Sequence, residues 1–285
     1  MIDISVLIVT WNNQDEIRDC VESVIRNSKN LKNEIIIIDN NSSDKTFSIL
    51  SKLVYPRIKI HKNMINTGYT KAINRAIEWA EGKNIFLLNP DTIVKENCIE
   101  TLNDFLNKNK EYGACAPLML NEDGTIQHSL RNFPDYLTMF WEFSLMSYFF
   151  PKSQLFGKWK MKYFDYNIDS DVQQPMAAAL MIKKDVLEGI KNMDERFEMF
   201  FNDVDLCRKV IDTGRKIRFI YSAKVIHAHG ASIYKDRIRM IKVWNHDIIE
   251  YFKKYHNNVI LLMWLKFNLK ISEILRILYY KITKK

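Results

Sequence analysis

Three apolar runs in the first ninety residues each end in a short polar cluster, and this arrangement narrows the possible folds more than any other feature of the chain. Residues 4–9 lead into Thr10, Trp11, Asn12 and Asn13. Residues 34–38 lead into Asp39, Asn40, Asn41, Ser42, Ser43 and Asp44, and residues 85–88 into Asn89, Pro90 and Asp91. Between the runs lie apolar stripes at helical spacing: Ile17, Val21, Val24 and Ile25, then Ala72, Ile73, Ala76, Ile77 and Ala80. A run apolar at every position, as 35–38 is, suits a strand covered on both faces. Strands alternating with helices build a parallel sheet, and ligands of such sheets bind at the carboxyl edge of the strands. All three clusters fall on that edge.

Asp44 is placed to N-cap a helix carrying Phe47, Leu50 and Leu53. A third strand around Ile58 and Ile60 leads to Asn63, Asn66, Thr67 and Gly68. Past Asp91 the pattern gives a helix over 96–107, a strand over 114–120, a turn at 121–124, and a buried turn and strand over 175–182. Phe200 and Phe201 open a helix with Leu206, Cys207 and Val210 inward. Residues 217–221 and 225–229 read as strands, and the tail from 237 as helical and basic. A length of 285 residues fits one large domain or a domain with an appendage.

The formal charge of +8 and pI near 9.1 ask for an anionic partner: nucleic acid, anionic lipid or a phosphorylated substrate. The basic residues are scattered and no helix-turn-helix or RNA-stacking motif occurs, so nucleic acid is not expected. Cys20, Cys98, Cys115 and Cys207 lie far apart with no C-x-x-C pair, which argues against a zinc site or disulfide framework and for a reducing compartment. Neither a signal-like start nor the roughly 18–20 unbroken apolar residues of a membrane span occurs, and the expected location is cytoplasmic.

Carboxylates and amides at strand ends suit a base, a sugar hydroxyl or a metal ion rather than a bare phosphate. Asp39 can accept the N3–H of uracil or thymine; the same residues also make an ordinary Asx-turn. Thr10 and Asn12, on the adjacent strand end, are placed to line the same base pocket. Pro90 lacks an N–H and stops its strand, which presents Asp91 in the crevice. One carboxylate can hold Mg²⁺ or Mn²⁺ when diphosphate oxygens and waters complete the shell, although Asp-Thr is equally a helix-cap sequence. Asp203 and Asp205 point about 200° apart on a helix and should not share a task. Phe200 and Phe201 would raise a neighbouring carboxylate toward general-base use, while acids in a first turn also suit the helix dipole. His227 and His229 share a face if their segment is a strand, which would allow a two-histidine metal site. A histidine beside Asp91 would complete a metal or diphosphate contact.

In chain order the motifs are Val-Thr-Trp-Asn-Asn at 9–13, Ile-Asp-Asn-Asn-Ser-Ser-Asp at 38–44, Asn-Thr-Gly-Tyr at 66–69, Leu-Asn-Pro-Asp at 88–91, Asp-Val-Asp-Leu-Cys at 203–207 and His-x-x-Gly-x-Ser at 227–232. With them the chain resembles family 2 glycosyltransferases of the GT-A fold, and more narrowly their rhamnosyltransferase-like branch of bacterial surface-polysaccharide synthesis. The resemblance covers about residues 3–235. No G-x-G-x-x-G follows the first strand and no G-x-x-x-x-G-K-[ST] occurs.

The resemblance implies an α/β fold with a Rossmann-like, mixed and mostly parallel sheet flanked by helices. Residues 1–236 would form the GT-A domain, split into a nucleotide-binding half (1–91) and an acceptor and catalytic half (92–236), with 237–285 a basic helical extension. Thr10, Asn12, Asp39, Asn41, Asn66, Gly68 and Asn89 would bind the nucleotide. Asp91 and His227 would hold Mg²⁺ or Mn²⁺, and Asp203 would be the catalytic base. Gln174, Met176 and Ala177, in the stretch 173–178, and Asp205 would meet the sugar and acceptor. Asn89 stands where many members have Asp, so fewer charges hold the metal, and Asn202 stands where many have Glu, which removes an acidic neighbour of Asp203.

The implied reaction is inverting transfer of a sugar, L-rhamnose from dTDP-rhamnose, to a hydroxyl of a glycan or lipid-linked glycan. A UDP-hexose donor and a non-catalytic nucleotide-sugar binder are the rival readings. The segment 136–150 is too aromatic for an ordinary surface loop and reads as core or as part of the acceptor region. Residues 260–285 mix Leu, Ile, Trp and Tyr with Lys266, Lys270, Arg276, Lys281, Lys284 and Lys285. They read as an interfacial amphipathic helix or helix pair at the inner face of the membrane, or as the basic solvated face of a packed helix. A homodimer is a further expectation.

Overall fold

The computed structural model describes residues 2–228 and 237–283. Its first half follows the alternation read above: β1 (Ile2–Thr10), α1 (Ile17–Arg26), β2 (Asn33–Asp39), α2 (Thr46–Leu50), β3 (Ile58–Lys62), α3 (Tyr69–Trp79) and β4 (Gly82–Leu88). Then come β5 (Thr92–Val94), α4 (Cys98–Lys108), β6 (Tyr112–Leu120), β7 (Leu130–Arg131), α5 (Tyr136–Phe143), α6 (Met146–Phe149), β8 (Ser170–Asp171), β9 (Gln174–Pro175) and β10 (Ala179–Lys183). The remainder is α7 (Lys184–Gly189), α8 (Asn202–Asp212), β11 (Lys216–His227), α9 (Arg237–Tyr255) and α10 (Val259–Thr283).

The main sheet runs β3-β2-β1-β4-β10-β6-β11-β5, with β8 pairing β11, while β7 and β9 form a separate ribbon. Its longest ladders are parallel: β1 with β2 and β4, β2 with β3, and β6 with β11. β10 enters antiparallel between β4 and β6, and β5 closes the far edge against β11. Alternate side chains of β1 and β2 feed two cores. Leu7, Val9, Ile36 and Ile38 face one, and Val6, Ile8, Ile35 and Ile37 the other. In this register Thr10 pairs with Asp39 and Asp39 with Lys62, so the polar strand ends lie side by side.

Three local expectations are revised. Lys45, not Asp44, occupies the N-cap of α2. Asp44 accepts the N–H of Thr46 at 2.9 Å and of Gln14 at 3.2 Å, which ties the start of α2 to the turn before α1. Leu53 falls beyond the helix. Residues 216–227 form one strand, irregular between Ile220 and Lys224, rather than two; His229 and Ser232 lie outside the described residues.

The C-terminal helices are built into the fold through a third core. Met139 of α5 and Val204 of α8 pack there with Ile248, Tyr251 and Phe252 of α9 and Leu265 and Leu269 of α10. This corrects the assignment of Asp205 to the acceptor. Its side chain is fully buried, and Oδ1 accepts from Lys254 Nζ at 2.6 Å and Tyr255 O–H at 2.7 Å. The helical turn that sends Asp203 outward sends Asp205 into α9. Lys254 also reaches Asp194 at 2.8 Å. Removing one partner of a buried pair leaves an uncompensated charge, so Lys254→Met is expected to lose about 3–5 kcal/mol in urea unfolding. Adding Asp205→Asn should restore part of that loss; simple additivity of the two substitutions would show that the pair does not act as an anchor.

Candidate active site at the carboxyl edge of the sheet

A cleft of about 760 Å³ opens over the strand ends, within the range of small-molecule sites. Thr10, Asn40, Asn66, Gly68 and Tyr69 line one half of it. Asn40 pins this half together. Its Nδ2 donates to Asn66 Oδ1 at 2.8 Å and to the Gly68 carbonyl at 3.1 Å, and its Oδ1 accepts from Asn63 Nδ2 and the Thr67 N–H. Gly68, at φ +80°, makes the turn into α3 that a side chain would strain.

Asp39 lies fully buried behind this wall. Its Oδ2 accepts the Ser42 N–H at 3.3 Å, and its Oδ1 is buried without a protein partner. That oxygen retains the capacity to accept a hydrogen bond. Asn12 and Asn41 stand outside the cleft wall, both in left-handed turns. The Asn12 N–H donates to Ser42 Oγ and its Oδ1 accepts the Ser43 N–H, while Asn41 is exposed. Their part in the structure is to shape the two loops.

Asn89 and Asp91 line the centre of the cleft. The Asn89 N–H donates to the Ala178 carbonyl at 2.8 Å and its carbonyl accepts Thr92 Oγ at 2.7 Å, which fixes the turn through Pro90. Asp91 Oδ1 lies 3.5 Å from His227 Nε2. The other ring nitrogen, Nδ1, is 2.7 Å from Gln127 Oε1. The Gln127 amide is oriented by its Nε2, which donates to Asn121 Oδ1 and to the His227 carbonyl. Nδ1 is therefore the donor, and in the neutral ring Nε2 turns its lone pair toward Asp91. Two acceptors facing across a gap, the histidine oriented by a second hydrogen bond, fit a divalent cation. No third His, Cys, Asp or Glu joins them among the described residues, so phosphate oxygens would have to complete the shell.

Asp203, in the first turn of α8, faces the cleft. Its Oδ2 accepts from Gln174 Nε2 at 3.1 Å and its Oδ1 from the Val204 N–H at 2.8 Å. Burial pushes its carboxyl above the usual range, against the opposing pull of backbone N–H groups and of the Arg131 charge. Burial and the Asp203 charge also push the Tyr69 phenol up. Gln174, Met176 and Ala177 line the cleft beside Asp203. Asn202 turns inward, its Nδ2 donating to Thr70 Oγ at 3.3 Å.

Several residues of the site carried no signal in the sequence. Arg131 comes from a two-residue strand whose partner is Gln174. Trp244 and Arg276 arrive from α9 and α10. Asp247, a buried acid in a basic helix, accepts the N–H groups of Glu198, Met199 and Phe200 at 2.9–3.3 Å and so holds the cleft loop that leads into α8.

N-acetylglucosaminyl-diphospho-decaprenol L-rhamnosyltransferase of Mycobacterium tuberculosis is 24% identical over 218 residues, 71% of this chain and 68% of that protein. Minor teichoic acid biosynthesis protein GgaB of Bacillus subtilis is 24% identical over 259 residues, 88% of this chain but 26% of that protein. The crystal structure of GalNAc-T7 with UDP, GalNAc and Mn²⁺ has a TM-score of 0.60 at 17% identity, over 80% of this chain and 44% of that one. The likeness to that structure is one of fold, and the fold is GT-A. The family model described as Glycosyl transferase family 2 matches residues 5–167, more than half of the chain, and the protein belongs to that family.

Proposed function

We propose that the protein is an inverting glycosyltransferase of bacterial surface-polysaccharide synthesis, moving L-rhamnose from dTDP-rhamnose to a hydroxyl of a glycan or lipid-linked glycan. The observation that carries this reading is Asp203: a carboxylate in the cleft wall, raised by burial and oriented by Gln174. Asp203 takes the proton of the acceptor hydroxyl as that oxygen attacks the anomeric carbon. The bond from that carbon to the diphosphate breaks on the opposite face, and the leaving group departs with its electron pair. The open Oδ1 of Asp39 supports a thymine or uracil N3–H as its partner. Asn66, Gly68 and Asn89 line the cleft and are assigned to the donor, and Met176 and Ala177, which line it too, are assigned to the sugar. Asp91 and His227 would hold Mg²⁺ or Mn²⁺, which when bound neutralises charge on the leaving diphosphate. Residues 1–236 act as the catalytic domain and 237–285 as its extension.

The outer face of α10 supports work at a membrane surface. No helix among the described residues is long and apolar enough to cross a membrane. Leu265 and Leu269 of α10 are buried. Ile260, Met263, Phe267, Ile271, Ile274, Leu278 and Ile282 recur at three- and four-residue spacing on the opposite side, all exposed. Lys266, Lys270 and Lys281 flank that stripe, an arrangement suited to the interface of an anionic bilayer. The protein is thus read as peripheral on the inner face of the cell membrane.

Asp203→Asn should lower turnover by about 10²–10⁴-fold, as loss of a general base does, while dTDP and UDP bind unchanged in calorimetry; retained turnover removes Asp203 from the role. Because the carboxyl is raised, the base form is lost as pH falls through that raised value. The acid limb of kcat/KM should therefore lie above the ordinary carboxylate value of 3.8. Nucleotide release from a panel of dTDP- and UDP-sugars names the donor, and EDTA should abolish that release until Mn²⁺ or Mg²⁺ is restored. Co-sedimentation with phosphatidylglycerol vesicles should weaken by about 1 kcal/mol for each lysine removed from Lys266 and Lys270. Concentration-dependent dimerisation with no vesicle binding would assign the same face to a second copy of the chain.

A further inference from the structure

The cleft extends beyond Asp203, where its walls come from α5, α9, α10 and the segment around Trp159. Four cationic side chains enter this part, and two of them are matched by acids of the same wall: Lys160 pairs with Glu142 and Arg239 with Glu198. Arg131 and Arg276 have no carboxylate within ion-pair distance among the described residues. Arg276 lies over the Trp244 ring at 6.0 Å. Arg131 is held by main-chain carbonyls, its Nη1 donating to His128 and Leu130 at 2.8 Å each and to Lys160 at 3.5 Å. Those bonds use Nη1 only, which leaves the rest of the guanidinium fork available in the cleft.

A guanidinium taken out of water without an ion-pair contact is costly. Burial drives the Arg131 pKa down, and Tyr166, Asp203 and Glu142 oppose this only in part. A planar fork of this kind matches a phosphoryl oxyanion in two-point contact. Trp159 and Trp244 add flat faces to the same part of the cleft.

We propose that this part of the cleft is an anion-binding acceptor subsite, in which Arg131, with Arg276 nearer α10, binds a phosphate group carried by the acceptor close to the hydroxyl that is glycosylated. The position of that hydroxyl rests on Asp203 being the base, whereas the anion site rests on Arg131 and Arg276. Two kinds of acceptor carry such a group: a phosphodiester-linked polymer and a lipid phosphate. The subsite chemistry is common to both, and an attached apolar chain would distinguish them.

The test is calorimetry on the full chain saturated with UDP or dTDP, titrated with glycerol phosphate, dodecyl phosphate and the uncharged dodecyl maltoside. Both phosphates should bind, and Arg131→Gln or Arg276→Gln should weaken them about ten- to a hundredfold while nucleotide affinity stays the same. Similar affinity for the two phosphates points to the polymer, and a strong preference for dodecyl phosphate to the lipid. Binding of the maltoside as tight as that of the phosphates overturns the proposal. So does a fall in nucleotide affinity in step with the phosphates, since Arg131 would then serve the donor. If Arg131→Gln does not fold, Arg276→Gln and the wild-type series decide the matter. Loss of nucleotide binding in the wild-type chain would sink the transferase reading instead and leave the phosphate result standing.

Discussion

Everything at the site depends on β1, β2 and β4 being covered on both faces. Inside such a strand a polar side chain needs a partner, as Ser5 has in Glu34 and Asn84 in Asn103, because a buried polar group without one costs free energy. The parallel register then brings the ends together, with Thr10 opposite Asp39 and the Asn89 turn at the end of the neighbouring strand. The same constraint is met differently at the amino end of β2, where Glu34 is buried. Burial raises its carboxyl, and Ser5, the Glu81 N–H and Lys59 together outweigh that and hold it below the usual range. At the carboxyl end Asp39 keeps one oxygen without such a partner.

The second organising element is the junction of α8 with α9. Asp203 and Asp205 are two residues apart, and helical geometry divides them between cleft and core. The Asp205 contacts to Lys254 and Tyr255 fix the rotation of α8 and thereby aim Asp203. Asp247 secures the preceding loop through three backbone N–H groups. The C-terminal helices therefore position Asp203 as well as carrying the exposed apolar stripe. α10 packs on one side, stays apolar on the other and also lines the cleft.

Legibility of the site in the sequence followed the range of the interaction involved. Thr10, Asn89, Asp91 and His227 reach the cleft wall at or beside strand ends and Asp203 from a first helical turn, positions that local periodicity indicates; Asn66, Gly68, Gln174, Met176 and Ala177, which the family resemblance indicated, line it as well. Asn12 and Asn41 lie in the same polar clusters yet serve the turns, a distinction that depends on the positive φ each adopts. The aromatic segment over 136–150 divides by face: Met139 and Phe143 line the cleft, while Leu137, Phe140, Tyr148, Phe149 and Phe150 are exposed. Composition alone carried no sign of that division.

The sequence by itself determined the layer order, the strands buried on both faces, and the kinds of group gathered at the carboxyl edge. Hydrophobic periodicity is a local code for which face an element buries. Only the tertiary structure decided which surface each face meets. It turned Asp205 toward Lys254, brought Arg131 near Asp203 by pairing β7 with β9, and set α9 and α10 against the cleft. Those choices are made by contacts between residues far apart in the chain, where packing and charge neutralisation act over distances that no local pattern records.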